Sequence, residues 1–592
     1  MLNLIKTILL PFAVLMINIH TNAQPQGNSK PNIIIILADD QGWGDLGFTG
    51  NKTVSTPHIN KLSKNGIVLN RFFVSPVCSP TRAELLTGRY HVRGSVSGTS
   101  NGTERLDLDE STIADAFKKN GYTTGVFGKW HNGGQAPYHP NSRGFQEFYG
   151  FCFGHSGNYF NPILEHNGLP IKGDGYVTDD LTNHGISFME KNRDKPFLIY
   201  FPFNTPHSPM QVPDEYWNNY KNKTLVQTGS QLKKENINHT KAALAMTENI
   251  DWNVGRIMKK LKELKLVENT IVIYFSDNGP NGFRWNGNMK GIKGSTDEGG
   301  VRSPFIIQWK NHLQKGKVLN QITSVMDIFP TLVDIAGIEN HQVKPFDGIS
   351  LKTLLYNQVD KNLQDRMIVS HWNRKTSLRT QDFRLSNENE LYDMNLDPDQ
   401  KTDVKNKFSE IYLNLNKQKK DWENNILVEM PLTDKRPLIV GHPSLEMTML
   451  PASEGEGKGN IVRSNRFPNS SYFKQWRTKE DKVIWDIEVE EDGEFEVEIY
   501  YACSEGNVGS EMRLMFNGNE IISKILRSND VETKGMENDR VTREESYVKD
   551  FIPMKFGNLR LKKGKGNLEL SALILKKIDD LEFNLVTLKR MK

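Results

Sequence analysis

The sequence predicts an α/β fold: a mostly parallel sheet sandwiched by helices, then a small α+β subdomain, then a C-terminal all-β sandwich. Three observations lead there. From Pro31 to about Gly337, short apolar runs alternate with helical patterns, as in strands joined by crossover helices. Between Phe383 and Asn425 small strand signals precede one polar-faced helix. After about Leu445 the helical signal gives way to period-two alternation.

Each element has its own signal. Asn32–Leu37 is a buried strand, and Thr56-Pro57 opens a helix with threonine as cap and proline at the first helical position. Ile113–Asn120 is helical and stops at Gly121; Thr123–Phe127 and Phe197–Phe201 follow as strands. Thr240–Leu266 places Ala243, Met246, Ile250, Ile257, Leu261 and Leu264 at near-helical spacing. Thr270–Phe275 and Phe305–Trp309 are strands, and Ser324–Ala336 is a helix ending at Gly337. Phe383–Leu385 and Glu390–Tyr392 are short strands, and Phe408–Asn425 is a helix. Val483–Val489 and Phe495–Tyr501 alternate on either side of Glu491-Asp492-Gly493, which reads as a hairpin with a solvated glutamate face. Leu568–Leu575 and Leu581–Leu588 extend the β pattern.

The composition is that of a globular protein, with 37% hydrophobic and 25% charged residues in 592. The net charge of +4 is too small for a nucleic-acid footprint at this size. Three cysteines, Cys78, Cys152 and Cys503, exclude a disulfide scaffold. Lys6, the apolar run Ile8–Ile19 and Thr21-Asn22-Ala23 read as a secretory signal peptide over residues 1–23. The mature chain is then expected to begin near Gln24, to be exported to the periplasm or medium, and to carry no transmembrane segment. The expected units are a catalytic α/β domain over 24–365, its small C-terminal subdomain over 366–430, a proline-bearing linker over 431–445 and a β-sandwich over 446–592.

Two strands end in oxygen ligands: Asn32–Leu37 leads to Asp39-Asp40, and Thr270–Phe275 leads to Asp277-Asn278. Ligands bind beyond the carboxyl ends of strands in open α/β sheets, and three carboxylates with an amide suit a hard divalent cation. Cys78 lies in Cys78-Ser79-Pro80-Thr81-Arg82, where Pro80 suits the first turn of a helix. That places the thiol at a helix N-terminus, an anion-favouring position.

The segment from Cys78 through Pro80 and Arg82 to Thr87-Gly88-Arg89 resembles the signature of type I sulfatases, the formylglycine-dependent family of the alkaline phosphatase superfamily. Gly128-Lys129-Trp130-His131, Thr205-Pro206-His207-Ser208-Pro209, Asp277-Asn278-Gly279, and Gly291-Ile292-Lys293-Gly294 before Glu298-Gly299-Gly300-Val301-Arg302 match further family segments in order. The likeness covers about Pro31 to Asn425; Ser303 and Asn132 depart from the residues common there.

The resemblance implies a sulfatase-like fold and a sulfuric ester hydrolase. It implies that a maturation enzyme oxidises Cys78 to formylglycine, whose hydrate attacks sulfur, carries the sulfate as an ester and expels it as the aldehyde re-forms. Asp39, Asp40, Asp277 and Asn278, with the modified Cys78, would hold one Ca2+. Arg82 would support the formylglycine, Lys129 and Lys293 would neutralise sulfate oxygens, His131 would assist the hydroxyl proton, and His207 would protonate the leaving oxygen. His155 and Arg143 are candidates for substrate contact, with Lys290 a marginal third. A sulfated carbohydrate is the expected substrate, with an algal polysaccharide such as ulvan favoured. Two other readings stand beside this one. A phosphodiesterase or phosphonate hydrolase of the same superfamily often carries a second set of Asp and His ligands, which the sequence does not display. A non-catalytic glycan-binding protein would be expected to have lost Cys78, Arg82 or a metal ligand.

Overall fold

The computed structural model describes residues 30–358, 363–431 and 433–591. The expected signal peptide lies outside the described residues. Among those described, no helix is long and apolar enough to cross a membrane.

The main sheet has eleven strands. Its centre is a parallel run in the spatial order Thr270–Ser276, Asn32–Ala38, Phe197–Pro202, Thr123–Lys129 and Glu147–Phe151. The first central strand is apolar throughout because both of its faces are covered. Ile33, Ile35 and Leu37 pack with Leu85, Phe117 and Leu332 on one side. Ile34 and Ile36 pack with Met246, Ile250 and Ile257 of the long Ile237–Glu263 helix on the other. Alternate side chains of a strand point to opposite faces, so a doubly covered strand shows no polar alternation.

The sheet departs from parallel where its connections do not cross a face. The chain leaves Thr270–Ser276 at the carboxyl end and returns from that same end into Phe305–Trp309, so this strand pairs antiparallel, with Phe305 opposite Phe275. A crossover helix is needed for a parallel return, and the intervening segment holds only the short Glu298–Val301 helix. The expected helix over Ser324–Ala336 is a 3-10 turn, Val325–Asp327, leading into an α-helix, Ile328–Ala336.

After the main sheet, Ile368–Trp372, Lys375–Arg379, Phe383–Leu385 and Leu391–Asp393 form an antiparallel sheet against the Ser409–Asn425 helix. Trp422 and Leu415 of that helix meet Leu378, Leu385 and Leu391. Glu298 fastens this unit to the main sheet. Its carboxylate lies 2.8 Å from the Arg384 guanidinium and 3.1 Å from that of Arg379, all buried. Burial alone would raise its pKa, but Arg379, Arg384 and Arg302 outweigh that and hold the carboxyl at about 2. The depressed pKa means a stabilisation fully present above the ordinary value of 4.5 and lost as pH falls toward 2. Glu298→Gln leaves two buried guanidinium groups without their counter-charge, at a cost of about 3–5 kcal/mol. Thermal midpoints should therefore fall clearly at pH 7, with a smaller gap between variant and wild type near pH 3. An unchanged midpoint at pH 7 would contradict this.

The C-terminal region is a two-sheet sandwich. Here one expectation is corrected. Lys482–Val489 and Gly493–Ala502 are not a hairpin: the first pairs with Gly564–Ile574 in one sheet, the second with Ile552–Leu561 and Glu582–Arg590 in the other. Val483, Trp485 and Ile487 then face Phe495, Val497 and Ile499 across one core. Alternation reports that each strand has a buried face, not whether two consecutive faces lie side by side or opposite. The stretch expected as linker, 431–445, contains Leu438–Val440, which pairs parallel with Lys482–Val489 at the edge of the sandwich.

Candidate active site

Four neighbouring parallel strands deliver the site. Ala38 is in register with Ser276, so Asp39-Asp40 and Asp277-Asn278 emerge side by side. The backbone N–H of Asp277 donates to Ala38 at 3.0 Å, and that of Asp39 donates to Thr205 at 3.0 Å, which draws in the loop that carries His207. Lys129 is the last residue of the next strand, with His131 just beyond. Cys78 starts the Cys78–Thr87 helix, and the Thr81 hydroxyl of its first turn donates to the Asp277 carbonyl at 2.6 Å. The helix is thereby pinned with its N-terminus beside the carboxylates.

Cations and carboxylates alternate around this point. Arg82 lies 2.9 Å from Asp277 and 3.4 Å from Asp39, and also donates to the Lys129 carbonyl at 2.6 Å. The Lys129 ammonium is 2.6 Å from Asp39, and Lys293 is 2.7 Å from Asp40. Asp39, Asp40, Cys78, Arg82, Lys129, Asp277 and Asn278 are all buried. His207 keeps some exposure, 12% of its side chain, and Lys293 keeps 20%, so these two mark the open side.

The remaining candidates divide. His207 Nε2 lies 3.6 Å from Asp40, while its Nδ1 is 2.6 Å from the Ser208 carbonyl. That contact makes Nδ1 a protonated nitrogen and turns Nε2 toward the site. His131 donates from Nε2 to the Thr99 carbonyl at 2.9 Å, and its Nδ1 has no partner. His155 stacks on His207 with ring centres 6.0 Å apart, its Nε2 also buried and unpartnered. Arg143 is a correction. Its guanidinium is buried and donates to the carbonyls of Leu106, Asp107 and Glu110, so it braces a loop rather than meeting substrate. Lys290 lies against Tyr392 of the small subdomain, near Asp297 and Glu390, and not in the cluster of Asp39, Asp40 and Asp277. Asn204 was not read from the sequence; both polar atoms of its buried amide are unpartnered. Its place just beyond the Phe197–Pro202 strand is the signal that could have found it.

The electrostatics fit a cation and an anion together. Burial pushes Asp39 up, yet Lys129, His207 and Arg82 outweigh it and hold the carboxyl low. Asp40 is held low in the same way by Lys293 and His207 against its burial. Asp277, pushed by burial and by the neighbouring Asp39, rises to about 7. The Oδ1 atoms of Asp39 and Asn278 are buried without a hydrogen-bond partner. Ligand atoms of Asp39, Cys78 and Asp277, and of Asp39, Asp40 and His207, lie within 4.8 Å of one another. Unpartnered buried oxygens among carboxylates are what a hard cation satisfies. Asp39, Asp40 and Asp277 are already matched by Arg82, Lys129 and Lys293. A divalent ion would therefore leave the site positive and ready for an anionic ligand. Burial also raises the Cys78 thiol despite Lys129 and Lys293, so unmodified cysteine would sit there as a neutral, weak nucleophile.

Carboxylates, lysines and a helix-N-terminal cysteine gathered at the carboxyl ends of a central sheet suit the metal-assisted hydrolysis of an anionic ester. The chain belongs to the sulfatase family: the family model described as Sulfatase matches residues 31–338, more than half of the chain. A second model, the C-terminal region of N-sulphoglucosamine sulphohydrolase, matches residues 293–425. The chain is 31% identical to mouse N-acetylgalactosamine-6-sulfatase over 367 residues, 56% of this chain and 67% of that protein. It is 30% identical to the Escherichia coli uncharacterized sulfatase YdeN, over 58% of this chain and 70% of that one. The crystal structure of Ps i-CgsB superposes with a TM-score of 0.60 at 30% identity, covering 67% of this chain and 93% of that one. The protein is thus a sulfuric ester hydrolase.

Proposed function

We propose that the protein removes sulfate from a sulfated polysaccharide or oligosaccharide, using formylglycine formed from Cys78 and one divalent cation, Ca2+ by family. The observation that carries this reading is the convergence of Asp39, Asp40, Asp277, Asn278, Lys129 and Lys293 on the N-terminus of the Cys78 helix. The sugar class rests on relatives: mouse N-acetylgalactosamine-6-sulfatase, and a Ps i-CgsB crystal structure in complex with k-i-k-neocarrahexaose at 29% identity. Ulvan stays the favoured member of that class. The reading includes export by the N-terminal signal, maturation by a formylglycine-generating enzyme, and the unit boundaries expected from the sequence, save that Leu438–Val440 goes with the sandwich.

Asp39, Asp40, Asp277 and Asn278 would hold the cation, which when bound would supply Lewis acidity to the nucleophile and to the sulfate. The chain's own side chains do the rest. Arg82 fixes Asp39 and Asp277 and is itself locked by the Lys129 carbonyl. Lys129 and Lys293 meet the charge that builds on sulfate oxygens as the ester bond stretches. The unpartnered Nδ1 of His131 can accept the proton that the nucleophile gives up. His207 acts here as the imidazolium: Nε2, on the open side, takes up a proton from solvent and gives it to the departing alkoxide, while Nδ1–H stays on the Ser208 carbonyl.

The test is sulfate release from defined sulfated oligosaccharides, ulvan fragments included, by matured protein. His207→Ala should slow a sugar sulfate by about 10²–10⁴-fold, since its alkoxide needs a proton to leave. A nitrophenyl sulfate, whose phenolate leaves unaided, should be slowed far less. Equal slowing of both would remove His207 from the acid role, and no sulfate from any member of the panel would overturn the sugar reading.

A further inference from the structure

The C-terminal sandwich reaches the site through two loops. Residues 533–548 lie along the segment after His207: the Gln211 amide donates to the Gly535 carbonyl at 2.6 Å and to Asp539 at 3.0 Å, and the Arg540 N–H donates to the Met210 carbonyl at 2.9 Å. The Asp539–Arg543 ion pair is buried at this seam, with 6% and 1% side-chain exposure. In the second loop, the Ser470 hydroxyl donates to the His155 carbonyl at 3.1 Å. A methyl group at Gly154 would meet both Asn469 Nδ2, at 2.3 Å, and His131 Nε2, at 3.0 Å, so Asn469 is a near neighbour of His131. These contacts set the two loops beside the segments that carry His155 and His207, with Asn469 near His131.

One of them bears directly on His207. Ser208 supplies the carbonyl that fixes Nδ1 of His207, and its hydroxyl donates to the Glu545 carboxylate, 337 residues further along the chain. We propose that the sandwich domain forms a wall of the catalytic pocket and that Glu545 is a positioning residue, holding the Ser208 peptide so that His207 presents Nε2 to the leaving oxygen. This rests on His207 being the leaving-group acid. The carboxylate makes no contact with the reacting atoms: it anchors the residue whose carbonyl orients the ring.

A purely structural anchor would affect every substrate alike, whereas a positioning residue affects those that need the proton. The assay is kcat/KM of matured full-length protein on a sugar sulfate and on nitrophenyl sulfate. Glu545→Ala and Ser208→Ala should each lower the sugar sulfate value by about 10–100-fold and the nitrophenyl value by less than about threefold. The double variant should be no worse than the poorer single one, because both break one contact. Glu545→Gln keeps an acceptor oxygen for the Ser208 hydroxyl and should recover most of the loss, with thermal midpoints reporting that each variant is folded. Equal losses on both substrates, additive losses, or no loss would overturn the positioning role. His207→Ala in the same assays separates the two ideas. If it is selective while Glu545→Ala is not, only the positioning role falls; if it is itself unselective, both fall.

Discussion

Cys78→Ala protein is expected to fold normally and to release sulfate on the order of 10⁶-fold more slowly than matured wild type, the scale of losing a hydrolase nucleophile. Cys78 is buried, and it contributes one small side chain at the start of a ten-residue helix. That helix is held by Thr81 on the Asp277 carbonyl and Arg82 on Asp277, neither of which the substitution touches. Packing therefore loses little and chemistry loses its attacking atom. Lys129, Lys293 and the carboxylates stay in place, so some transition-state stabilisation survives; in another hydrolase such remnants keep about 10³–10⁴-fold over water. Wild type that escapes maturation should be nearly as inactive, because the buried thiol is held protonated. Sulfate release by both proteins, with circular dichroism and thermal midpoints as controls, measures this. An alanine variant within about tenfold of wild type would mean that the nucleophile lies elsewhere.

Divalent cation is expected to stabilise the fold strongly, independent of any turnover. Asp39 and Asn278 each leave an oxygen unpartnered in the interior, and Asp39 and Asp277 repel one another. A cation at 100 times its dissociation constant contributes about 2.7 kcal/mol. Adding Ca2+ to chelator-treated protein should raise the thermal midpoint, and Asp39→Asn should abolish most of that rise. The pH dependence has a defined sign. Asp277 titrates at about 7, above its ordinary 3.8, so without cation this group makes the native state less stable as pH rises toward 7. Cation binding displaces the Asp277 proton, so the Ca2+-induced rise should be largest above pH 7 and shrink below it. A rise that is absent, or that grows toward low pH, would contradict the assigned ligands.

The catalytic half was legible because its signals are local. Apolar runs such as Ile33–Leu37 mark doubly covered strands, and Asp39-Asp40 and Asp277-Asn278 follow two of them directly. Cys78, Arg82, Lys129, His131, His207 and Lys293 stand in short segments whose order in the chain could be matched. What the sequence hid was tertiary. Period-two alternation gives Val483–Val489 and Phe495–Tyr501 each an inner face, but it does not say that the faces oppose one another. Arg143 is polar in the sequence and structural in the fold, since only the fold brings three carbonyls to its guanidinium. Glu545 and Asn469 sit in polar loops of a different domain, and no catalytic motif marks either; Asn469 only begins an Asn-Ser-Ser sequon. They become part of the site only because the sandwich docks beside His155 and Ser208.

The central claim is the identity of the nucleophile, and the mass of the peptide containing Cys78 tests it most directly. The protein should be produced together with a formylglycine-generating enzyme, beside a sulfatase known to be matured under those conditions. The account predicts that the Cys78 peptide carries the aldehyde or its hydrate in place of the thiol. An intact cysteine, in a preparation where the control is converted and this protein still hydrolyses sulfate esters, would contradict it.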